Sequence, residues 1–110
     1  MKLVNLLPKE AVFAHFAARD KKQALKTMSA KASEISGLSD KEIYSVLAER
    51  EQRGSTCMGG GVCVPHGRFG ELEKPYALFA HLEKPIDFDA QDAKPVDLMF
   101  MLLTPEDANT

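Results

Sequence analysis

The sequence predicts an α/β fold, a single domain in which a mixed β-sheet is flanked by helices. Three observations carry that prediction. Two stretches with helical periodicity, each opened by a capping residue, fill the first half; extended apolar segments follow Gly54; and Val96 to Leu103 is apolar almost throughout, as a buried strand is. With 110 residues, 45% of them hydrophobic, the chain supports one domain over residues 1–110 with an ordinary core, and a two-domain enzyme is excluded. Fourteen Lys and Arg against sixteen Asp and Glu leave a net charge of -2, so no basic surplus argues for nucleic acid or an anionic membrane.

The elements follow in order. The opening Met1–Pro8 is too short for the apolar core of a signal peptide, and no stretch approaches the ~20 apolar residues of a membrane span, so a cytoplasmic protein without membrane insertion is expected. Ala11 to Ala18 is a small apolar run that reads as a first strand, weakened by alanines that lack β-branched bulk. Asp20 offers an N-cap with Gln23 three residues on; Leu25, Met28, Ala32 and Ile35 recur at helical spacing, and Gly37 closes the helix. Ser39 and Glu42 repeat the capping box for a second helix, with Ile43, Tyr44, Leu47 and Ala48 inward, Glu49, Arg50, Glu51 and Arg53 towards water, and Gly54 as its stop. Val62–Val64, Tyr76–Leu82 and Val96–Leu103 then read as strands, punctuated by Pro75, Pro85, Pro95 and Pro105. The final Thr104–Thr110 resembles the entrance to a further element.

Chemistry concentrates in Gly54–Arg68, where a helix end, three successive glycines, a short apolar strand and a histidine between Pro65 and Gly67 follow one another. Glycines let backbone amides approach an anion, and consecutive amides form anion-binding nests. A histidine at a strand's end can give one ring nitrogen to a carbonyl and present the other to a partner, and a neutral imidazole attacks phosphorus without a separate base. The equatorial phosphoryl oxygens need donors, for which Arg68, Ser55, Thr56 and the loop amides are the nearby candidates.

The run GSTCMGGGVCVPHGR resembles the active-site segment of the mannitol/fructose-type (type 2) EIIA domains of the bacterial phosphoenolpyruvate-dependent phosphotransferase system, and is most like the nitrogen-regulatory branch. The likeness extends through Glu49–Arg53, Ala80–Ala90 and Lys94–Leu103, so that it covers nearly the whole chain. It implies an α/β sandwich, with His66 as the phosphorylated histidine accepting phosphate from the phosphocarrier HPr or its nitrogen-branch relative NPr. It further implies Arg50, Ser55, Thr56 and Arg68 as phosphate or partner contacts, regulatory targets such as transporters or kinases, and no cofactor. The alternatives are a standalone sugar-specific EIIA and an unphosphorylated docking module. Family members continue into helices that begin with a second histidine, and this chain stops before them; a C-terminally shortened domain is therefore expected, either self-associating or missing its last portion.

Other groupings compete with this reading. Cys57, Cys63, His66 and His81 have the chemistry of zinc ligands, but the spacing lacks close ligand pairs and no metal site is expected. Two cysteines are too few for a disulfide scaffold; Cys63 reads as a reduced thiol in an apolar strand, and Cys57 stands where the resembling family often has glycine. Asp87, Asp89 and Asp92 suit turns better than a Mg²⁺ site, whereas Asp97 is placed near the candidate site. The glycines form no nucleotide-binding P-loop, because no Gly-Lys-Ser/Thr follows.

Overall fold

The computed structural model describes residues 9–106, so the opening Met1–Pro8 and the last part of the Thr104–Thr110 segment, residues 107–110, lie outside the described residues. A 3-10 turn at Lys9–Ala11 leads into β1 (Val12–Phe16), followed by α1 (Lys21–Ser36) and α2 (Asp40–Gln52). Then come three short strands, β2 (Cys57–Gly59), β3 (Val62–Cys63) and β4 (His66–Phe69), and two long ones, β5 (Tyr76–Ile86) and β6 (Val96–Pro105).

Both helices start and stop where local chemistry directs. The Asp20 carboxylate accepts from the Gln23 amide at 2.8 Å while the Gln23 side chain accepts from the Arg19 amide at 2.7 Å, so two otherwise orphaned donors are satisfied. Gly37 takes the left-handed conformation (φ 83°) and returns its N–H to the Ser33 carbonyl. Ser39 caps α2 by accepting from the Glu42 amide at 3.4 Å, but the Glu42 carboxylate faces Glu71 instead of reaching back.

The sheet is mixed, and β6 organises it. β5 pairs antiparallel with one edge of β6. The other edge is shared by two parallel partners, β3 against its first half and β4 against its second. β1 adds parallel to β5 on the outside, and β2 adds antiparallel to β3. Because strand side chains alternate, Leu78, Ala80 and Leu82 of β5 and Met99, Met101 and Leu103 of β6 enter one core with Leu25, Met28, Ile43 and Leu47 of the helices. The intervening Leu98, Phe100 and Leu102 are only half-buried on the opposite face, where Phe100 packs against Phe79 with ring centroids 4.8 Å apart. The reading of β6 as buried throughout is corrected accordingly: a strand is buried on both faces only where both are covered, and α1 and α2 cover one.

Candidate active site

His66 opens β4, opposite Leu102 of β6, so its exposed side chain lies on the half-buried sheet face beside Leu102. Its Nδ1 lies 2.8 Å from the Val64 carbonyl oxygen. A carbonyl can only accept, so in the neutral ring Nδ1 carries the proton and Nε2 keeps the lone pair. Pro65, buried between them, helps to hold this two-residue bend, and its own carbonyl accepts from the Leu102 amide at 2.9 Å. The ring is thus anchored to β6 through the backbone that precedes it.

Gly67 is needed for packing. A Cβ there would stand 2.7 Å from Cγ1 of Val46, so its missing side chain admits α2 against β4. Arg68 follows His66 at the two-residue spacing that places side chains on one face of a strand, about 7 Å apart. Its exposed guanidinium donates through one nitrogen to the Glu106 carbonyl at 3.5 Å.

The other predicted contacts divide. Val64 donates its N–H to the Thr56 carbonyl at 3.0 Å, so Thr56 is tied to the residue whose carbonyl meets the His66 ring. Arg50 donates to the Gly54 carbonyl at 2.9 Å, tying α2 to the residues before Thr56, and the Ser55 hydroxyl accepts from the Cys57 amide at 3.0 Å. Thr56 departs from expectation: its hydroxyl is buried and donates to the Glu51 carboxylate, where a phosphate cannot reach it. Glu51 itself, read as water-facing, is buried, with Lys21 Nζ 3.1 Å from Oε1. Ile43, Leu47 and Glu51 recur every four residues, a periodicity that puts all three on the inward face of α2 and could have revealed this anchor.

The triple glycine also serves a different purpose. Gly59, Gly60 and Gly61 all take positive φ (89°, 64° and 88°) in the turn between β2 and β3. The Gly60 amide donates to Asp92 at 3.0 Å, so the protein's own carboxylate occupies this donor. The Asp92 carboxyl is held below its ordinary range by that bond first and by the Lys94 amide second. Val62 pairs with Leu98 and His66 with Leu102, a separation of four residues or about 13 Å along β6, so the turn does not cradle a group at His66.

Three further expectations are settled by position. Cys57 and Cys63 face each other across β2 and β3 and are joined by a disulfide, which corrects the reading of Cys63 as a free thiol and removes both sulfurs from the zinc alternative. His81 stands opposite Leu98 and Asp97 beside it, with His81 Nε2 3.8 Å from Asp97 Oδ2. Strand spacing puts His81 about 16 Å from His66, so neither member of that pair reaches the site. Asp87 and Asp92 bond the backbone two residues on, accepting from Asp89 and Lys94 at 3.0 and 3.1 Å, as turn residues do. Among the described residues no cluster of side chains has the makings of a metal site, and no helix is long and apolar enough to cross a membrane.

Comparison with known proteins supplies the family. Residues 5–110 match the model for the phosphoenolpyruvate-dependent sugar phosphotransferase system, EIIA 2. The chain belongs to the EIIA 2 family. A nitrogen regulatory protein of Bradyrhizobium diazoefficiens is 44% identical over 108 residues, 98% of this chain and 71% of that one. Among solved structures, nitrogen regulatory protein IIA-Ntr of Neisseria meningitidis superposes with a TM-score of 0.92 at 34% identity, covering 97% of this chain and 74% of the other. Mannitol IIA of Escherichia coli gives 0.76 at 18% identity over 91% and 72% of the two chains, a likeness of fold alone. The mixed sheet with two helices seen here is therefore the EIIA 2 architecture.

Proposed function

We propose that this EIIA 2 chain is a phosphoryl carrier with a regulatory output, in which His66 Nε2 accepts phosphate from a phosphocarrier of the HPr or NPr kind. The observation that carries this reading is the Nδ1–Val64 contact, which leaves the Nε2 lone pair outward on an exposed ring. In the transfer, that lone pair forms the new N–P bond as the donor's N–P bond breaks, and the electron pair of the broken bond returns to the donor imidazole. Proton abstraction is unnecessary, because the attacking nitrogen bears none. Arg68, one strand repeat away, supplies charge to the equatorial oxygens, while Arg50 and Ser55 order the Gly54–Cys57 backbone that Thr56 ties to Val64. The nitrogen-regulatory identity of the relatives at 44% and 34% favours a regulatory output, with transporters or kinases as targets, over a sugar-specific carrier.

Incubation with phosphoenolpyruvate, Enzyme I and the phosphocarrier tests this. The expected product is an acid-labile, base-stable phosphoprotein, absent from His66→Ala and formed about 100-fold more slowly by Arg68→Ala. Wild type that takes up no phosphate sinks the carrier reading, and an adduct surviving His66→Ala moves it to another residue.

A further inference from the structure

We infer that Glu51 is a positioning residue for the His66 ring, acting through Thr56 and Val64, with Lys21 as the counter-charge that allows its burial. Its consequence for phosphate uptake rests on the function proposed above; the placement of the ring does not. Val64 is where the ring depends on its surroundings, because the Val64 carbonyl meets Nδ1. That residue lies between β3 and β4 and belongs to neither. Two bonds place it instead: its N–H donates to the Thr56 carbonyl at 3.0 Å, and the carbonyl of the next residue, Pro65, accepts from the Leu102 amide at 2.9 Å. The second bond is anchored in β6, within the sheet; the first is as firm as Thr56.

Thr56 stands just ahead of β2, the outermost strand, which among the described strands pairs with β3 alone. Backbone pairing therefore holds it from one side. The other tie is supplied by its side chain, a buried hydroxyl that donates to Glu51 Oε2 in the last turn of α2. Arg50, the preceding residue of the helix, ties the Gly54 carbonyl at the surface instead.

A buried carboxylate is costly unless its oxygens are engaged. The Glu51 side chain keeps only 4% of its exposure, and its two oxygens are divided: Oε2 takes the Thr56 hydroxyl while Oε1 lies 3.1 Å from Lys21 Nζ. Lys21 is fixed in turn. It opens α1, lies 3.7 Å from Asp89 and stands 5.2 Å from the centre of the Phe88 ring, between the helix and the segment that follows β5. With one oxygen drawn to the ammonium, the other is left aimed at Thr56. A buried pair of this kind does little for stability compared with apolar side chains of the same volume, but it gives a direction that they cannot. The packing of α1 and α2 thus reaches the imidazole through contacts in series, Lys21 to Glu51, Glu51 to Thr56, Thr56 to Val64 and Val64 to His66.

The ¹⁵N signals of the His66 imidazole in the full chain, recorded at alkaline pH where the ring is neutral, test this, with circular dichroism to verify the fold of each variant. Thr56→Val removes the donor at nearly constant volume and should shift population away from the Nδ1–H tautomer; Thr56→Ser, which keeps the hydroxyl, should leave it in place. Glu51→Ala should act as Thr56→Val does, and the double variant no further than Glu51→Ala alone. Lys21→Met should move the signal in the same direction, and a signal it leaves unchanged removes Lys21 from the series. The control is Leu82→Ala, since Leu82 is fully buried in β5 and pairs with Phe16 of β1, away from β4; it should lower stability without moving the tautomer. If Glu51→Ala does not fold, Thr56→Val decides, because it leaves the Glu51–Lys21 pair intact. An unchanged tautomer in folded Thr56→Val, or an equal change in Leu82→Ala, overturns the positioning role. Phosphate uptake should be about tenfold slower in Thr56→Val and Glu51→Ala and should recover in Thr56→Ser. Wild type that takes up no phosphate counts against the carrier reading, while the imidazole signals still decide this inference.

Discussion

Two stretches of sheet meet on β6 and are stabilised by opposite means. On one edge, β5 is held by alternation: Leu78, Ala80 and Leu82 are buried with Met99, Met101 and Leu103, and pairing runs from Tyr76 to Ile86. On the other edge, β2, β3 and β4 are two to four residues long, contribute Cys63 and Phe69 to the core, and carry a series of individual polar ties. Arg50 holds Gly54, Glu51 holds Thr56, Asp92 holds Gly60 and Val64 holds His66. The apolar edge derives its strength from area, whereas the polar edge can keep a histidine exposed without losing its position. Each polar tie contributes modestly, but its direction fixes an atom.

Substitutions should separate the two. Met101→Ala removes a fully buried side chain from the apolar edge and should cost about 2–5 kcal/mol in urea unfolding, with His66 chemistry otherwise unaltered. A loss below 1 kcal/mol would show that the core is less closely packed there. On the polar edge, Gly67→Ala drives a methyl into Val46 and should cost about 1–3 kcal/mol, much of it recovered in the double variant with Val46→Ala. If the double variant shows no recovery, the clash lies elsewhere. Thr56→Val deprives the buried Glu51 carboxylate of its hydroxyl donor and should cost about 1–3 kcal/mol, with phosphate uptake falling more than Met101→Ala makes it fall. Equal uptake in the two variants would remove Thr56 from ring positioning.

The smallest expected effects depend on pH and have opposite signs. The Asp92 carboxyl is lowered by the Gly60 and Lys94 amides, so its contribution is present above the ordinary carboxylate range and lost as pH falls through the folded value. The urea midpoints of wild type and Asp92→Ala should converge in acid. Glu42 is raised, by desolvation first and by Glu71 second, so the folded state binds the extra proton and stability falls as pH rises from the ordinary value through the raised one. Glu71→Gln should flatten that fall, and an unchanged profile would show that Glu71 does not act on Glu42.

Much of the scaffold was legible because its signals are local. Asp20, Gln23 and Gly37 delimit α1 through bonds made within a few residues, and Ser39 opens α2 in the same way. The position of His66 at a strand's end between Pro65 and Gly67 also suggested a ring nitrogen bonded to a nearby carbonyl, and the structure supplies Val64 as that acceptor. Less legible were β2 and β4, each too short for periodicity to register, and the roles of the glycines. Their consecutive positions suggested an anion nest, but Asp92, 32 residues after Gly60, takes the central amide.

The sequence by itself determined the helices, the apolar alternation and the candidate histidine, because capping, periodicity and side-chain chemistry act between near neighbours. Only the tertiary structure decided which groups share a place. Register along β6 sets His66 apart from the glycine turn, from His81 and from Asp97. Packing of α2 turns Glu51 inward and commits Thr56, and the β2–β3 pairing brings Cys57 to Cys63. These outcomes depend on which strand lies beside which, a choice made by burial of the whole sheet and one that no short window of residues contains.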